Sequence, residues 1–332
     1  MIITKTPFRM SFFGGGTDFP EFYSEHGGAV LATTFDKYCY VNVRRLPPFF
    51  EYSTELSYSK IERVKDISEI IHPAIREAMK YLDMREIRFT YEADLPARSG
   101  LGTSSSLAVG MLNAFYALKG KYKGNRQLAD EAIYLERTLC NEAGGVQDQI
   151  SAAFGGLNKI EFNDDGYIVN PLIISNDRKK ELNENLIMFF TGFSRFSADI
   201  QKDTQKAFKD KTTQLLEMKQ LVYDAEKILT SNTNLNEFGK MLDYTWKLKR
   251  GISTGITTNS IDDIYNIALK NGAIGGKLLG AGGGGFLVFY CEKEKQLLLI
   301  KALENFLYVP FMFESEGTRV IHYTPEDSIP YR

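Results

Sequence analysis

One stretch constrains this chain more than any other: Leu95-Pro96-Ala97-Arg98-Ser99-Gly100-Leu101-Gly102-Thr103-Ser104-Ser105-Ser106. It runs directly into Leu107, Met111, Ala114, Phe115 and Leu118, whose helical spacing predicts a buried helix from Ser104 to Lys119. A helix start presents unpaired N–H groups and about half a positive charge, which suits an anion. Glycines let backbone wrap oxygens, and hydroxyls add donors or a magnesium ligand. A serine-rich N-cap would account for part of the pattern. Two glycines and the four consecutive hydroxyl residues Thr103 to Ser106 exceed what capping needs, so the segment reads as a phosphate loop. No GxxxxGK[ST] occurs, which excludes the Walker-type loop.

Two more glycine clusters flank it in sequence. The first is Pro7-Phe8-Arg9-Met10-Ser11-Phe12-Phe13-Gly14-Gly15-Gly16-Thr17-Asp18, three glycines after an apolar strand. Gly15 and Gly16 allow close approach, and Thr17 and Asp18 offer acceptors for a polyol. Taken alone, a tight turn with a helix N-cap explains it better. The third runs from Lys277 through Gly280, Gly282 and Gly283 to Gly285, with Gly282 and Gly283 as candidate substrate contacts. Gly280, Gly282 and Gly285 satisfy GxGxxG, but a dinucleotide site needs that pattern to open a helix. Here the apolar run Phe286 to Tyr290 follows, which reads as a strand.

The remaining chain reads as α+β. Strand signals cover Ala29 to Leu46 and Ile87 to Tyr91, and His72-Pro73 opens a helix to about Leu82. A helix is expected from Asn125 to Cys140 and another just after Gly144-Gly145. Strands follow at Gly156 to Phe162 and Tyr167 to Ile174. Polar helical stretches at Ser197 to Thr230 and Asn234 to Ile252 lead to a strand–helix–strand ending. A boundary near 180 gives units 1–180 and 181–332. A net charge of −2 leaves no electrostatic footprint for nucleic acid or anionic membrane, and no apolar run approaches membrane-span length. Cys39, Cys140 and Cys291 form an odd set without CxxC, which fits a reducing cytoplasm. The three histidines have no metal-binding spacing and no triad setting.

Taken together and in this order, the three clusters resemble the signature motifs of the galactokinase, homoserine kinase, mevalonate kinase and phosphomevalonate kinase (GHMP) superfamily. The resemblance spans nearly the whole chain. The segment Glu142-Ala143-Gly144-Gly145-Val146-Gln147-Asp148-Gln149 is similar to the family's catalytic-aspartate segment. The galactokinase-like branch has Gly-Glu-His before Thr-Asp. Gly14-Gly15-Gly16 here resembles instead the branch of bacterial heptose 7-phosphate kinases and fucokinase-type enzymes. Thr191 to Arg195 and Trp246 to Gly251 are similar to that branch too.

The resemblance implies a ribosomal-S5-like N-terminal domain, a ferredoxin-like C-terminal domain and a cleft between them. It implies ATP phosphates held by backbone from Gly100, Leu101, Gly102, Thr103, Ser104 and Ser105, with Mg²⁺ on Ser104 and Glu136. Glu136 also stands out by itself. It shares the inward stripe of Ala129, Ala132, Ile133 and Cys140, where a carboxylate needs a cation or strong hydrogen bonds. An ion pair with Arg137 or Arg98 is the plainer account. Asp148 is the expected base or orienting group for the acceptor hydroxyl, with Arg9 paired to it. The same carboxylate would suit a helix start without any chemistry. The branch resemblance implies transfer to the anomeric hydroxyl of heptose 7-phosphate, giving a 1,7-bisphosphate for the nucleotide-activated heptose of surface polysaccharide. Arg195 and Lys249 are the candidates for the substrate's own phosphate, with solvated surface charge as their alternative reading. Arg44 and Arg45 are weaker options. A neutral-sugar kinase and a non-catalytic sugar sensor are the rival readings.

Overall fold

The computed structural model describes residues 1–97, 99–192, 205, 208–253 and 255–325. The first unit is built on two long strands, β1 (Ile2–Phe13) and β2 (Gly28–Arg45), with the short helix α1 (Pro20–His26) between them. Then come β3 (Thr54–Ser57), β4 (Ile61–Val64), α2 (Pro73–Tyr81) and β5 (Ile87–Ala93). After the phosphate loop come α3 (Thr103–Leu118), α4 (Asn125–Ile133), α5 (Gln147–Phe154), β6 (Asn158–Asn163) and β7 (Gly166–Pro171). The second unit carries α6 (Asn176–Glu184), β8 (Leu186–Phe190), α7 (Phe208–Thr230), α8 (Asn236–Arg250) and α9 (Asn259–Lys270). It continues with β9 (Ala273–Leu278), β10 (Phe286–Cys291), α10 (Gln296–Ala302) and β11 (Leu307–Tyr308).

The sheet order in the second unit is β11-β8-β10-β9, antiparallel throughout. In the first, with β13 formed by Arg319–Tyr323, it is β13-β1-β2-β5-β3-β4, with β6 branching from β2 and β7 paired to β6. The closing strands β12 (Phe313–Glu314) and β13 (Arg319–Tyr323) return to this first sheet, β12 on β2 and β13 on β1. The segment 181–332 is therefore not confined to the second sheet.

All of the 16 residues of α3 except Ser104 and Asn113 are buried, as an all-round apolar helix requires. Its Gly110 is a packing necessity, because a Cβ there would lie 2.7 Å from the Thr6 hydroxyl. A second core joins the two units. Phe12 and Phe13 of β1 meet Phe238 of α8 edge-on, with ring centroids 5.3 and 5.1 Å apart. Around them pack Met188 of β8 and Phe286 and Val288 of β10. The expected helix from Asn125 to Cys140 changes pitch partway, with Tyr134–Leu139 forming a π-helical turn. Such turns are often found at functional sites, and Glu136 sits on this one.

Candidate active site

The phosphate loop enters α3 through Gly102, the N-cap, held in the left-handed region at φ +73° with no side-chain cap. The first-turn N–H groups therefore lack a side-chain acceptor, the arrangement that anion binding uses. The serine hydroxyls serve another purpose. Ser104 and Ser105 donate to the two oxygens of Glu136 at 2.7 Å each, and Ser106 donates to the Pro7 carbonyl. Glu136 is 3% exposed, and Gln149 donates to it as well. Arg137 instead reaches the Gly144 carbonyl and Glu21, so it is not the partner of Glu136. Arg98 lies outside the described residues.

Burial raises the Glu136 carboxyl to about 7, and the nearby Glu142 adds to that push; the serine and glutamine hydrogen bonds oppose it. A carboxyl raised from 4.5 in the unfolded chain to about 7 in the fold favours the folded state at low pH. That contribution is complete below about pH 4.5 and is lost as pH rises through about 7. In metal-free buffer, Tm of the wild type is expected to fall relative to Glu136→Gln between these limits. Parallel melting curves for the two proteins would refute the burial argument.

Asp148, in the first turn of α5, is gripped by Arg9 of β1. Nε and Nη2 of Arg9 donate to Oδ1 and Oδ2, both at 2.7 Å. Arg9 Nη1 also donates to the Gly100 carbonyl at 2.7 Å, tying strand, phosphate loop and carboxylate together. The expected Arg9–Asp148 pairing is present. Gly102 is needed where they meet, since a Cβ there would come within 3.3 Å of the Asp148 carboxylate. Two cavities share this wall. One is lined by Gly102, Ser104, Ser105, Glu136 and Gly144, the other by Ser11, Gly15, Gly16, Asp18, Lys249 and Lys277. Arg9, Asp148, Gly145, Gly280 and Ala281 line both.

Asp18 is 2% exposed and accepts from the backbone N–H groups of Gly16 and Gln147. Burial raises its carboxyl, and Asp148 adds to the effect. Gly145 packs against it so closely that a Cβ would lie 1.9 Å from Asp18 Oδ2. Thr17, expected to share the polyol contact, does not reach the cavity. It is fully buried, and its hydroxyl bonds the Gly14 and Ala29 carbonyls and the Ala29 N–H. A hydroxyl so occupied holds the turn and has nothing left for a ligand.

The third glycine cluster also differs from expectation. Gly280 and Ala281 line the cavities, whereas Gly282 and Gly283 pack on the backbone of Ile256. Gly280 meets Gly100 backbone to backbone, and a Cβ on Gly280 would lie 2.3 Å from the Gly100 Cα. This cluster braces the phosphate loop from the second unit. Lys249 of α8 lines the second of these cavities and donates to the Gly280 carbonyl. Burial lowers its ammonium to about 8, with Arg9 contributing. Arg195 lies outside the described residues. The residue that sequence reasoning missed here is Lys277, 3% exposed, which donates to the Phe12 carbonyl at 2.7 Å. Phe12 is skipped where the β1–β2 register shifts between Ser11 and Phe13, a bulge that frees its carbonyl. Burial and the neighbouring Lys249 and Arg9 lower the Lys277 ammonium.

Residues 68–156 match the model of the GHMP kinases N terminal domain, and residues 225–309 that of the GHMP kinases C terminal domain. A D-glycero-alpha-D-manno-heptose 7-phosphate kinase of Campylobacter jejuni subsp. jejuni is 31% identical, across 96% of this chain and 98% of its own. The chain belongs to the GHMP kinases. With sugar-kinase relatives of this kind, it is a phosphotransferase with an alcohol group as acceptor. A crystal structure of a D-glycero-D-manno-heptose 1-phosphate kinase from Bacteroides thetaiotaomicron superposes with TM-score 0.78 at 25% identity, covering 97% of this chain and 99% of that one. An L-fucokinase/L-fucose-1-P guanylyltransferase of Bacteroides fragilis is 23% identical over 90% of this chain but 35% of its own length. The GHMP kinase described here has no helix among its described residues long and apolar enough to cross a membrane.

Proposed function

We propose that this GHMP kinase transfers the terminal phosphate of ATP to the anomeric hydroxyl of D-glycero-D-manno-heptose 7-phosphate. The product would be the 1,7-bisphosphate, a precursor of nucleotide-activated heptose for surface polysaccharide. One observation carries the reading: Asp148, clamped by Arg9, stands on the wall common to a phosphate-binding cavity and a polar, cation-lined one. An acceptor hydroxyl in the second cavity would meet the transferring phosphate beside that carboxylate.

The roles follow from what each group can do. Backbone N–H groups from Gly100 to Ser105 cradle the nucleotide phosphates at the α3 N-terminus. Asp148 accepts the acceptor's hydroxyl proton or holds that hydroxyl in line, and Arg9 fixes its two oxygens. Asp18 binds sugar hydroxyls. Lys249 takes the substrate's own phosphate, with Arg195 as the second candidate. The donor set around Glu136 suits Mg²⁺: a buried carboxylate with no cationic partner among the described residues, beside a cleft-facing hydroxyl, offers the hard oxygens that ion prefers. Ser104 and Glu136 would hold it, and it would neutralise phosphate charge. Added Mg²⁺ at pH 8 is expected to raise Tm of the wild type and leave Glu136→Gln unchanged.

A panel of heptose 7-phosphate, mannose 6-phosphate, mannose and L-fucose, read by ADP release, tests the proposal. Turnover of fucose with none of the heptose phosphate would sink it. Ligand binding without any turnover would favour a sensor. The cations in the acceptor cavity favour a phosphorylated sugar over a neutral one. Lys249→Met is accordingly expected to raise KM for heptose 7-phosphate at least about tenfold, since hydrogen bonds to charged groups contribute roughly 1.5–3 kcal/mol. The wild-type KM should climb as pH passes about 8, where the Lys249 ammonium loses its proton. Equal KM values for wild type and variant would remove Lys249 from this role.

A further inference from the structure

Ser11 faces the sugar-side cavity from β1, and Gln147 faces it from the first position of α5. Each is 7% exposed. The Ser11 hydroxyl and the Gln147 Oε1 are nevertheless buried without a hydrogen-bond partner. Native proteins rarely leave such atoms unpaired, and each one invites an explanation. The explanation lies in the glycine between them.

Gly14 has to be glycine: its φ is +79°, and a Cβ would lie 1.9 Å from the Ala29 carbonyl oxygen. Gly16 has φ +103°. Gly15 is different. Its φ lies outside the left-handed region, and a Cβ would meet only Gln147 Nε2 at 3.8 Å and Ser11 Oγ at 3.9 Å. Those are ordinary contacts, so neither backbone nor packing requires glycine there. The room Gly15 leaves is bordered by the unpartnered Ser11 hydroxyl and by the Nε2 end of the Gln147 amide, whose other atom, Oε1, lacks a partner.

We propose that Gly15, Ser11 and Gln147 form a subsite for one hydroxyl-bearing carbon of the sugar acceptor. With the Gln147 amide turned end for end, so that Oε1 stands where Nε2 does, the hydroxyl donates to Oε1 and accepts from Ser11 Oγ, while its carbon occupies the space a side chain at position 15 would fill. This satisfies both orphaned atoms at once. It also makes the subsite a filter, because a site built around a hydroxyl discriminates strongly against analogues lacking it. The inference rests on reading this cavity as the acceptor site, and it names residues that decide which sugar is accepted.

The test measures KM for sugar, KM for ATP and Tm in Ser11→Ala, Gln147→Leu and Gly15→Ala. Heptose 7-phosphate is the probe, with mannose 6-phosphate, mannose and L-fucose in parallel. Ser11→Ala and Gln147→Leu should each raise the sugar KM about tenfold, the worth of one good hydrogen bond, and Gly15→Ala should raise it comparably by filling the space, with ATP KM unchanged. Gly15→Ala should melt with the wild type, which separates a lost subsite from a damaged fold. Unchanged sugar KM in Ser11→Ala and Gly15→Ala overturns the subsite. Wild-type turnover of a sugar other than the heptose phosphate overturns the heptose reading alone, and the variants are then judged on that sugar. No turnover by the wild type with any sugar overturns both.

Discussion

Replacing Asp148 with Asn is expected to lower kcat by roughly two to four orders of magnitude while KM for ATP stays near the wild-type value. The amide is nearly the same size and keeps one oxygen to accept from Arg9, so α5 and the phosphate loop have no reason to move. The change removes the second oxygen of the Arg9 clamp and the negative charge beside the incoming hydroxyl. A defect confined to the chemical step appears in kcat and in kcat/KM for sugar alike, not in nucleotide affinity. Steady-state ADP release together with direct titration of an ATP analogue makes the comparison. A variant that keeps most of its kcat would reduce Asp148 to a structural carboxylate.

Gly280→Ala should be damaging too, by a different route. Gly280 has φ +77°, and a left-handed backbone at a non-glycine residue costs roughly 1–2 kcal/mol. The added Cβ would also lie 2.3 Å from the Gly100 Cα and 2.6 Å from its oxygen, and backbone has no rotamer with which to give way. Gly100 must then shift, and with it the carbonyl that receives Arg9 Nη1. Nucleotide KM is expected to rise at least about tenfold and Tm to drop by roughly 5–10 °C, the shift expected of a few kcal/mol. Gly120→Ala supplies the control, since φ there is +66° with nothing within 4 Å. Matching losses in the two variants would mean that the contact with Gly100 is unimportant.

The phosphate loop and α3 were legible in the sequence because both are local: glycine, hydroxyls and a helical apolar stripe lie within some 24 consecutive positions, Leu95 to Leu118. The inward aspect of Glu136 was legible for the same reason, through the spacing of its own helix. Its partners were not, since Ser105 and Gln149 come from other elements. Thr17 was misjudged because a threonine beside an aspartate looks alike whether its hydroxyl faces a cleft or the backbone. Only the closure of β1 onto β2 decides that. Lys277 looked like an ordinary lysine ahead of a glycine run, and nothing nearby announces that a bulge far away at Phe12 will present it with a carbonyl. Ser11 and Gln147 were hidden similarly, as the space between them is bordered by two stretches far apart in the sequence. Gly282 and Gly283 were chosen over Gly280 and Ala281 because a glycine run does not reveal which member touches the neighbouring loop.

The return of β12 and β13 to the first sheet has a mechanical consequence. The polypeptide crosses from one sheet to the other after β7 and crosses back after β11, so each half is stitched to its partner at both edges of the chain path. With Gly100 abutting Gly280 and Lys277 bonded to Phe12 across the same junction, a wide clamshell stroke would have to tear several of these sutures together. Among the described residues the walls of the cleft already touch, and a wide opening would cost those contacts before any ligand entered.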